Sequence, residues 1–399
     1  MKFLWTLSLL LWASCAGSLD GDPSPTNRLY YPGALLKNGN TLYVANTNLD
    51  NQFNNARVLQ IDCKEKECLK PEIVANWEAP SLLGQMAATD DFSSIFVTSQ
   101  AQPVLSNVVQ NNRTQLSQNA PYFLSLVPNK QAGVLGTLEF TQKFPLADGQ
   151  FSLFRDNGEI HYFEWANGQA AKIKQRLKVS DCLQNPSEPG LSVARLGGIK
   201  VTASNFYALV EAVINTGLRF EKKVFFIKSK LADIQQGKWG KCEAVDLSKD
   251  YKAQGARDIA ISDDEKTAYI LMAENPLLLK LNLESFTTIS KESNTCLGSA
   301  RMRLSPEQNT LVVLCPNENL VIAFDAPTLN LLGQFPDETT IERNNLGPVD
   351  LVFDKDSKGQ FFVSFQNSNQ IGVFNHEKDP KTGVNKRGLF FNDWLELPR

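Results

Sequence analysis

The residues of this 399-residue chain best suited to chemistry are few: seven cysteines, two histidines, and one stretch crowded with asparagine. That stretch, Asn46-Thr-Asn-Leu-Asp-Asn-Gln-Phe-Asn-Asn-Ala56, holds five asparagines and an aspartate in eleven residues and is longer than a hairpin needs. Amide and carboxylate oxygens are hard donors of the kind Ca2+ gathers in sets of about six to eight. Asn46, Asn48, Asp50, Asn54 and Asn55, with Glu164 and Glu211 in apolar runs further on, are therefore candidate binding residues at a channel mouth. Asn and Asp are also ordinary turn formers after strands. The two readings differ in outcome: converging donors in one case, local backbone capping in the other.

His161 and His376 fall in strand-like runs or at their ends and read as structural imidazoles. There is no Gly-x-Ser-x-Gly elbow, no phosphate-cradling glycine loop and no Cys-x-x-Cys spacing for zinc. No catalytic set and no cofactor are expected, with Ca2+ as the alternative. The cysteines suggest covalent staples instead. Setting Cys15 aside leaves six, an even number of the kind that forms disulfides in an exported chain. Cys63 and Cys68 enclose Lys-Glu-Lys-Glu at a strand end, Cys296 and Cys315 bracket two adjacent strands, and Cys182 and Cys242 remain. A free buried thiol, at Cys315 above all, is the competing reading.

Export is read from the N-terminus. Met1-Lys2 precedes an apolar run from Phe3 to Trp12 and the small residues Ala13-Ser14-Cys15-Ala16-Gly17. The run is about half the 20 residues a membrane span needs, so it reads as a cleaved signal. Ordinary cleavage fits anywhere up to Ser18. Trp12-Ala13-Ser14-Cys15 also resembles the lipobox of bacterial lipoproteins, departing from it at Trp12, where Leu, Val or Ile is usual. That resemblance implies a lipidated Cys15 and, with Ala16 following, placement in the outer membrane. The expected division is a signal over 1–14, a flexible tether over 15–27 and one domain over 28–399. Asn112-Arg-Thr matches a glycosylation sequon by pattern alone.

Internal repetition supplies the elements that must position these residues. A short apolar strand, a polar turn, a second strand and a third strand recur. The unit is plain in Tyr31 to Asp62, Ala256 to Leu283, Ser299 to Asp325 and Gly347 to Asn375. Three weaker copies between them carry second and third strands at Ile95 to Ser99 with Tyr122 to Val127, Ile160 to Trp165 with Ala170 to Leu177, and Phe206 to Val213 with Lys223 to Ser229. Second strands then begin near 42, 95, 160, 206, 267, 310 and 360. Seven such units predict an all-β, seven-bladed β-propeller of four-stranded antiparallel blades. Fourth strands are expected at Glu72 to Trp77, Leu138 to Thr141 and Leu329 to Phe335. A strand shared between the termini, from Asn27 to Tyr31 or, preferably, Phe390 to Leu397, would close the ring.

Leu42-Tyr-Val-Ala-Asn46 followed by Val58-Leu-Gln-Ile-Asp62 resembles the YVTN-type propeller repeat of bacterial surface proteins. Leu281-Asn282, Phe324-Asp325 and Phe374-Asn375 repeat its second half. The resemblance implies fold more than activity, since such propellers serve many functions. At net charge −3 and pI about 5.7 there is no basic stripe for nucleic acid. The expectation is a monomeric, non-catalytic, envelope-associated propeller that faces the periplasm or cell surface and binds a protein or polymer. The alternative is a propeller enzyme such as a metal-dependent lactonase or a quinoprotein-like dehydrogenase.

Overall fold

The computed structural model describes residues 24–397 except 50–51, 54, 65–67, 69, 80–82, 89–91, 93–94, 100, 103–114, 117–121, 127–132, 138–145, 149–150, 155–158, 165–171, 184–190, 216–218, 252, 293–294 and 338–344. For strands between 98 and 174 only backbone register is described, Glu159 and Ile160 excepted. Cys15, Asp50, Asn54, the expected strand at Leu138 to Thr141 and the sequon at Asn112 lie outside the described residues. No helix among the described residues is long and apolar enough to cross a membrane.

The described strands form seven four-stranded antiparallel sheets in chain order, numbered here 1 to 7, and one two-stranded ribbon between Ala101–Gln102 and Gln115–Leu116. Sheet 1 runs Pro32–Asn38, Thr41–Asn46, Ala56–Cys63, Pro71–Ala79. First strands of sheets 2 to 7 are Leu83–Ala88, Leu146–Asp148, Leu191–Val201, Ala256–Ile261, Arg301–Leu304 and Pro348–Phe353. Each first strand touches the first strand of the next sheet, and that of sheet 7 touches that of sheet 1. The ring is closed.

Alternation along the second strands shows why they read as unbroken apolar runs. Successive side chains point to opposite faces, and here both faces meet another sheet. In Thr41–Asn46, Tyr43 and Ala45 join the core shared with sheet 2, while Leu42 and Val44 join that shared with sheet 7. In Thr310–Cys315, Leu311, Val313 and Cys315 face sheet 5, and Val312 and Leu314 face sheet 7. Fully burying one such large aliphatic side chain is worth about 1.5–3 kcal/mol. Outer strands lack the second neighbour, so Val74, Ile289 and Leu331 on fourth strands stay exposed.

Two expectations need correction. In sheet 3, Glu159–Glu164 is the third strand and Lys172–Lys178 the fourth, not second and third. The second is Phe151–Phe154, whose four residues are too short to register as a periodic run. Among the described residues no strand crosses between the termini either. Phe390–Trp394 pairs with Gln370–Asn375 and completes sheet 7 from its own sequence.

Closure at sheets 7 and 1 relies on polar bonds as well as shared core. Leu35 N donates to Asp350 Oδ2 at 3.0 Å, and Tyr31 N to Asn369 Oδ1 at 2.6 Å. Lys37 Nζ lies 3.3 Å from Asp354 Oδ2, both side chains 4% exposed. Three disulfides add covalent staples, pairing as the spacing suggested. Cys63–Cys68 and Cys296–Cys315 are local, whereas Cys182–Cys242 ties the helix Val179–Leu183 after sheet 3 to the approach of the last strand of sheet 4. Cys315 is therefore not a free thiol.

Candidate functional site

The asparagine-rich segment begins at the end of the second strand of sheet 1 and folds back over the chain that enters the ring. Asn46 is buried; its Oδ1 accepts from Tyr30 N at 3.1 Å and its Nδ2 donates to Arg28 O at 3.1 Å. Asn48 sits at φ 52°, a left-handed conformation that asparagine tolerates better than most residues. Its amide closes the loop on Phe53, accepting from Phe53 N at 3.1 Å and donating to Phe53 O at 2.8 Å. Asn55 Oδ1 accepts from Ser24 Oγ at 2.6 Å.

Arg57 completes the arrangement from the third strand. Its Nε donates to Ser24 O at 3.1 Å and Ser24 Oγ at 2.7 Å, and its other nitrogens reach Asn76 Oδ1 at 2.6 Å and Glu78 Oε1 at 2.7 Å. Tyr30 lies edge-on to Phe53 at 4.5 Å. Together Ser24, Tyr30, Asn46, Asn48, Phe53 and Arg57 line a recess without room for a water molecule. Ser24, near the end of the expected tether, is buried there. The site's ligand is the protein's own N-terminal segment.

Glu211 does not join that group. It lies in the second strand of sheet 4 (Asn205–Asn215), buried, where Oε2 accepts from Gly255 N at 2.8 Å and Oε1 lies 3.6 Å from Lys222 Nζ. Glu164 ends the third strand of sheet 3, and its side chain lies outside the described residues. The structure thus brings Asn46, Asn48 and Asn55 together and leaves Glu211 at the border of sheets 4 and 5.

Glu211 belongs instead to a series not foreseen from sequence. At four successive borders a side-chain oxygen accepts the amide of the next sheet's first strand or of the residue leading into it. The pairs are Glu211 with Gly255 N at 2.8 Å, Asp258 with Met302 N at 2.9 Å, Asn319 with Gly347 N at 2.9 Å, and Asp350 with Leu35 N at 3.0 Å. A first strand has a neighbour on one side only, so its other edge carries backbone donors without strand partners. Buried amides need acceptors, and these oxygens supply them. Cations sit beside all three carboxylates of the series: Lys222 by Glu211, Arg303 by Asp258 at 3.3 Å and Arg301 by Asp350 at 3.1 Å. The signal available in sequence was one acid inside each of two apolar first strands, Ala-Arg-Asp258-Ile-Ala-Ile and Pro-Val-Asp350-Leu-Val-Phe.

The Asx positions that end the third strands of sheets 5 to 7 have a parallel use. Asn282 Oδ1 accepts from Glu284 N, Asp325 Oδ2 from Thr328 N and Asn375 Oδ1 from Glu377 N, at 2.8, 2.9 and 2.8 Å. Each caps its own turn.

These features define an all-β protein whose sheets pack as a ring, held by side chain to backbone contacts at the borders. No family model and no curated protein matches the chain. Solved structures do resemble it. Kluyveromyces lactis Hsv2 has a TM-score of 0.56 and 11% identity, covering 93% of this chain and 100% of its own. Kuenenia stuttgartiensis hydrazine synthase has 0.57 and 11%, covering 88% and 97%. A candidate 6-phosphogluconolactonase from Bacteroides fragilis has 0.51 and 13%, covering 93% and 100%. Neighbours of this kind include β-propellers, and at such identities the likeness is one of fold alone.

Proposed function

We propose that the seven sheets are the blades of one seven-bladed β-propeller of the YVTN repeat type. In this reading it is exported, tethered to the outer membrane through Cys15, and binds a protein or envelope polymer without catalysis. The observation that carries the non-catalytic part is what the candidate donors do. Asn46, Asn48, Asn55 and Glu211 give their oxygens to the protein's own backbone and side chains. A lactonase-type cation would need those oxygens turned to one point. Three disulfides fit an exported chain. The docking of Ser24 by Asn55 and Arg57 supports a set exit for the tether, from which the domain would meet a partner in one orientation to the membrane.

Cross-linking in the native envelope tests the binding role, with discrete adducts to one partner as the expected result. Hydrolysis of lactones or quinone-linked sugar oxidation by the purified mature protein would refute it in favour of the enzyme. Intact mass of the membrane-extracted protein tests the anchor. A mature chain beginning at acylated Cys15 is expected, and a Cys15→Ala variant that stays membrane-bound would rule the anchor out.

A further inference from the structure

The border between sheets 6 and 7 holds a cluster that none of the preceding roles uses. Glu307 lies in the turn between Arg301–Leu304 and Thr310–Cys315, and His376 and Glu377 directly follow Gln370–Asn375. One ligand atom from each of the three lies within 4.8 Å of the others. Among the described residues this is the one such group of His, Cys, Asp and Glu.

His376 has an exposure of 0%, and neither ring nitrogen has a hydrogen-bond partner. Its Nε2 points at Glu307 Oε2 from 3.3 Å without hydrogen-bond geometry, and that buried oxygen also lacks a hydrogen-bond partner. Orphaned buried polar atoms are costly and rare in folded proteins. Two of them facing each other suggest something between them. With zinc-to-ligand distances of about 2.0–2.1 Å, adjacent ligands of a tetrahedron stand about 3.3–3.4 Å apart, which matches the observed gap.

The surroundings favour a ligand over a mobile imidazole. Phe353 packs edge-on to the His376 ring at 5.7 Å and Phe361 lies at 6.3 Å. The backbone is held on both sides, by His376 N to Gly359 O at 2.9 Å and Gly388 N to His376 O at 3.0 Å. Glu377 is oriented by Asn309 Nδ2 at 3.0 Å and Lys358 Nζ at 2.9 Å, as outer partners orient metal-binding carboxylates. Its carboxylate keeps lone pairs for a further bond.

We propose that Glu307, His376 and Glu377 form a binding site for one divalent transition-metal ion of the zinc type, clamping sheet 6 to sheet 7. An imidazole with two carboxylates suits such an ion better than Ca2+ or Mg2+, which take oxygen ligands. Glu307 and Glu377 keep partial exposure, 23% and 17% at the side chain, so the ion has an entry path.

The test uses mature protein made without a histidine tag, treated with chelator and titrated with Zn2+ by calorimetry. One equivalent per chain is expected, with a rise in Tm. Glu307→Gln and Glu377→Gln should fold, keep the apo protein's Tm within a few degrees, and bind Zn2+ more weakly by about tenfold or more. Co2+ should give visible absorption bands in the wild type that both variants lose. His376→Ala should abolish binding; because it could also unfold the border, the two Gln variants carry the decision. The proposal is overturned if the wild type shows no saturable Zn2+ binding. It is equally overturned if binding persists unweakened in both Gln variants.

Discussion

Asp350 is the position at which the ring can be tested for closure most directly. Its Oδ2 accepts from Leu35 N at 3.0 Å and its Oδ1 from Arg301 Nε at 3.1 Å, so one buried carboxylate joins sheets 6, 7 and 1. Asp350→Ala removes both acceptors at once. It leaves the Leu35 amide, at a residue 3% exposed, without its acceptor, at a cost of about 1–3 kcal/mol. The Arg301 guanidinium, 13% exposed, also loses its carboxylate, and breaking a buried pair this way costs about 3–5 kcal/mol. The terms overlap, so the expected total is about 3–5 kcal/mol. Asp350→Asn keeps one carbonyl acceptor and should lose about half as much. Equilibrium urea unfolding with disulfides intact reads the difference as a lower midpoint at constant slope. Adding Arg301→Met to Asp350→Ala should recover about 1 kcal/mol or more, because the charge that had faced Asp350 goes with it. A loss below about 1 kcal/mol for Asp350→Ala, or no recovery in the double variant, would refute the idea that this carboxylate closes the ring.

Other outcomes follow from the same contacts. Glu265, in the first turn of sheet 5, is pushed up by burial, but bonds from Asn205, Thr202, Tyr207 and the Ser204 backbone outweigh this and hold its pKa below the ordinary 4.5. Its contribution to stability is therefore complete above about pH 4.5 and disappears as pH falls through the lower folded value. Glu265→Gln should flatten that acid limb in a pH series of unfolding midpoints, and an unchanged slope would count against it. Cys182 and Cys242 are half-buried while the other four paired cysteines are buried, so mild reduction followed by alkylation should label this pair first. Since its bridge closes a 60-residue separation, Cys182→Ser with Cys242→Ser should cost about 4 kcal/mol in the chain-entropy account, read by chemical unfolding. A Cβ on Gly198 would stand 2.8 Å from Ile259 N and one on Gly197 2.7 Å from Ala256 C, so the first strands of sheets 4 and 5 approach only because both are glycine. Gly197→Ala or Gly198→Ala should cost about 1–3 kcal/mol, and a neutral result would mean the strands can part freely.

Much of this protein was present in its sequence because it depends on near neighbours. Strand-forming runs such as Leu42 to Asn46 and Thr310 to Cys315, their turns, and the local partners Cys63 with Cys68 are set by residues within one unit. Burial on both faces makes the second strands unbroken apolar runs, and that signal fixed their places in six of the seven sheets. It failed in sheet 3, where a four-residue strand, Phe151–Phe154, is too short to show a period. Asn46 and Asn48 were legible as unusual but not as structural or functional, because an asparagine's role depends on what its amide meets. Only the fold of the whole sheet brought Arg28 and Tyr30 to Asn46, while Phe53 meets Asn48 within the same loop. The same holds for Asp350 and Leu35, 315 residues apart, and for Glu307 and His376 on neighbouring sheets. Periodicity reports which face of a strand is apolar, but it carries no information about which sheet will lie against that face. Ring closure decides that, and with it which buried acids become caps and which histidine faces a carboxylate.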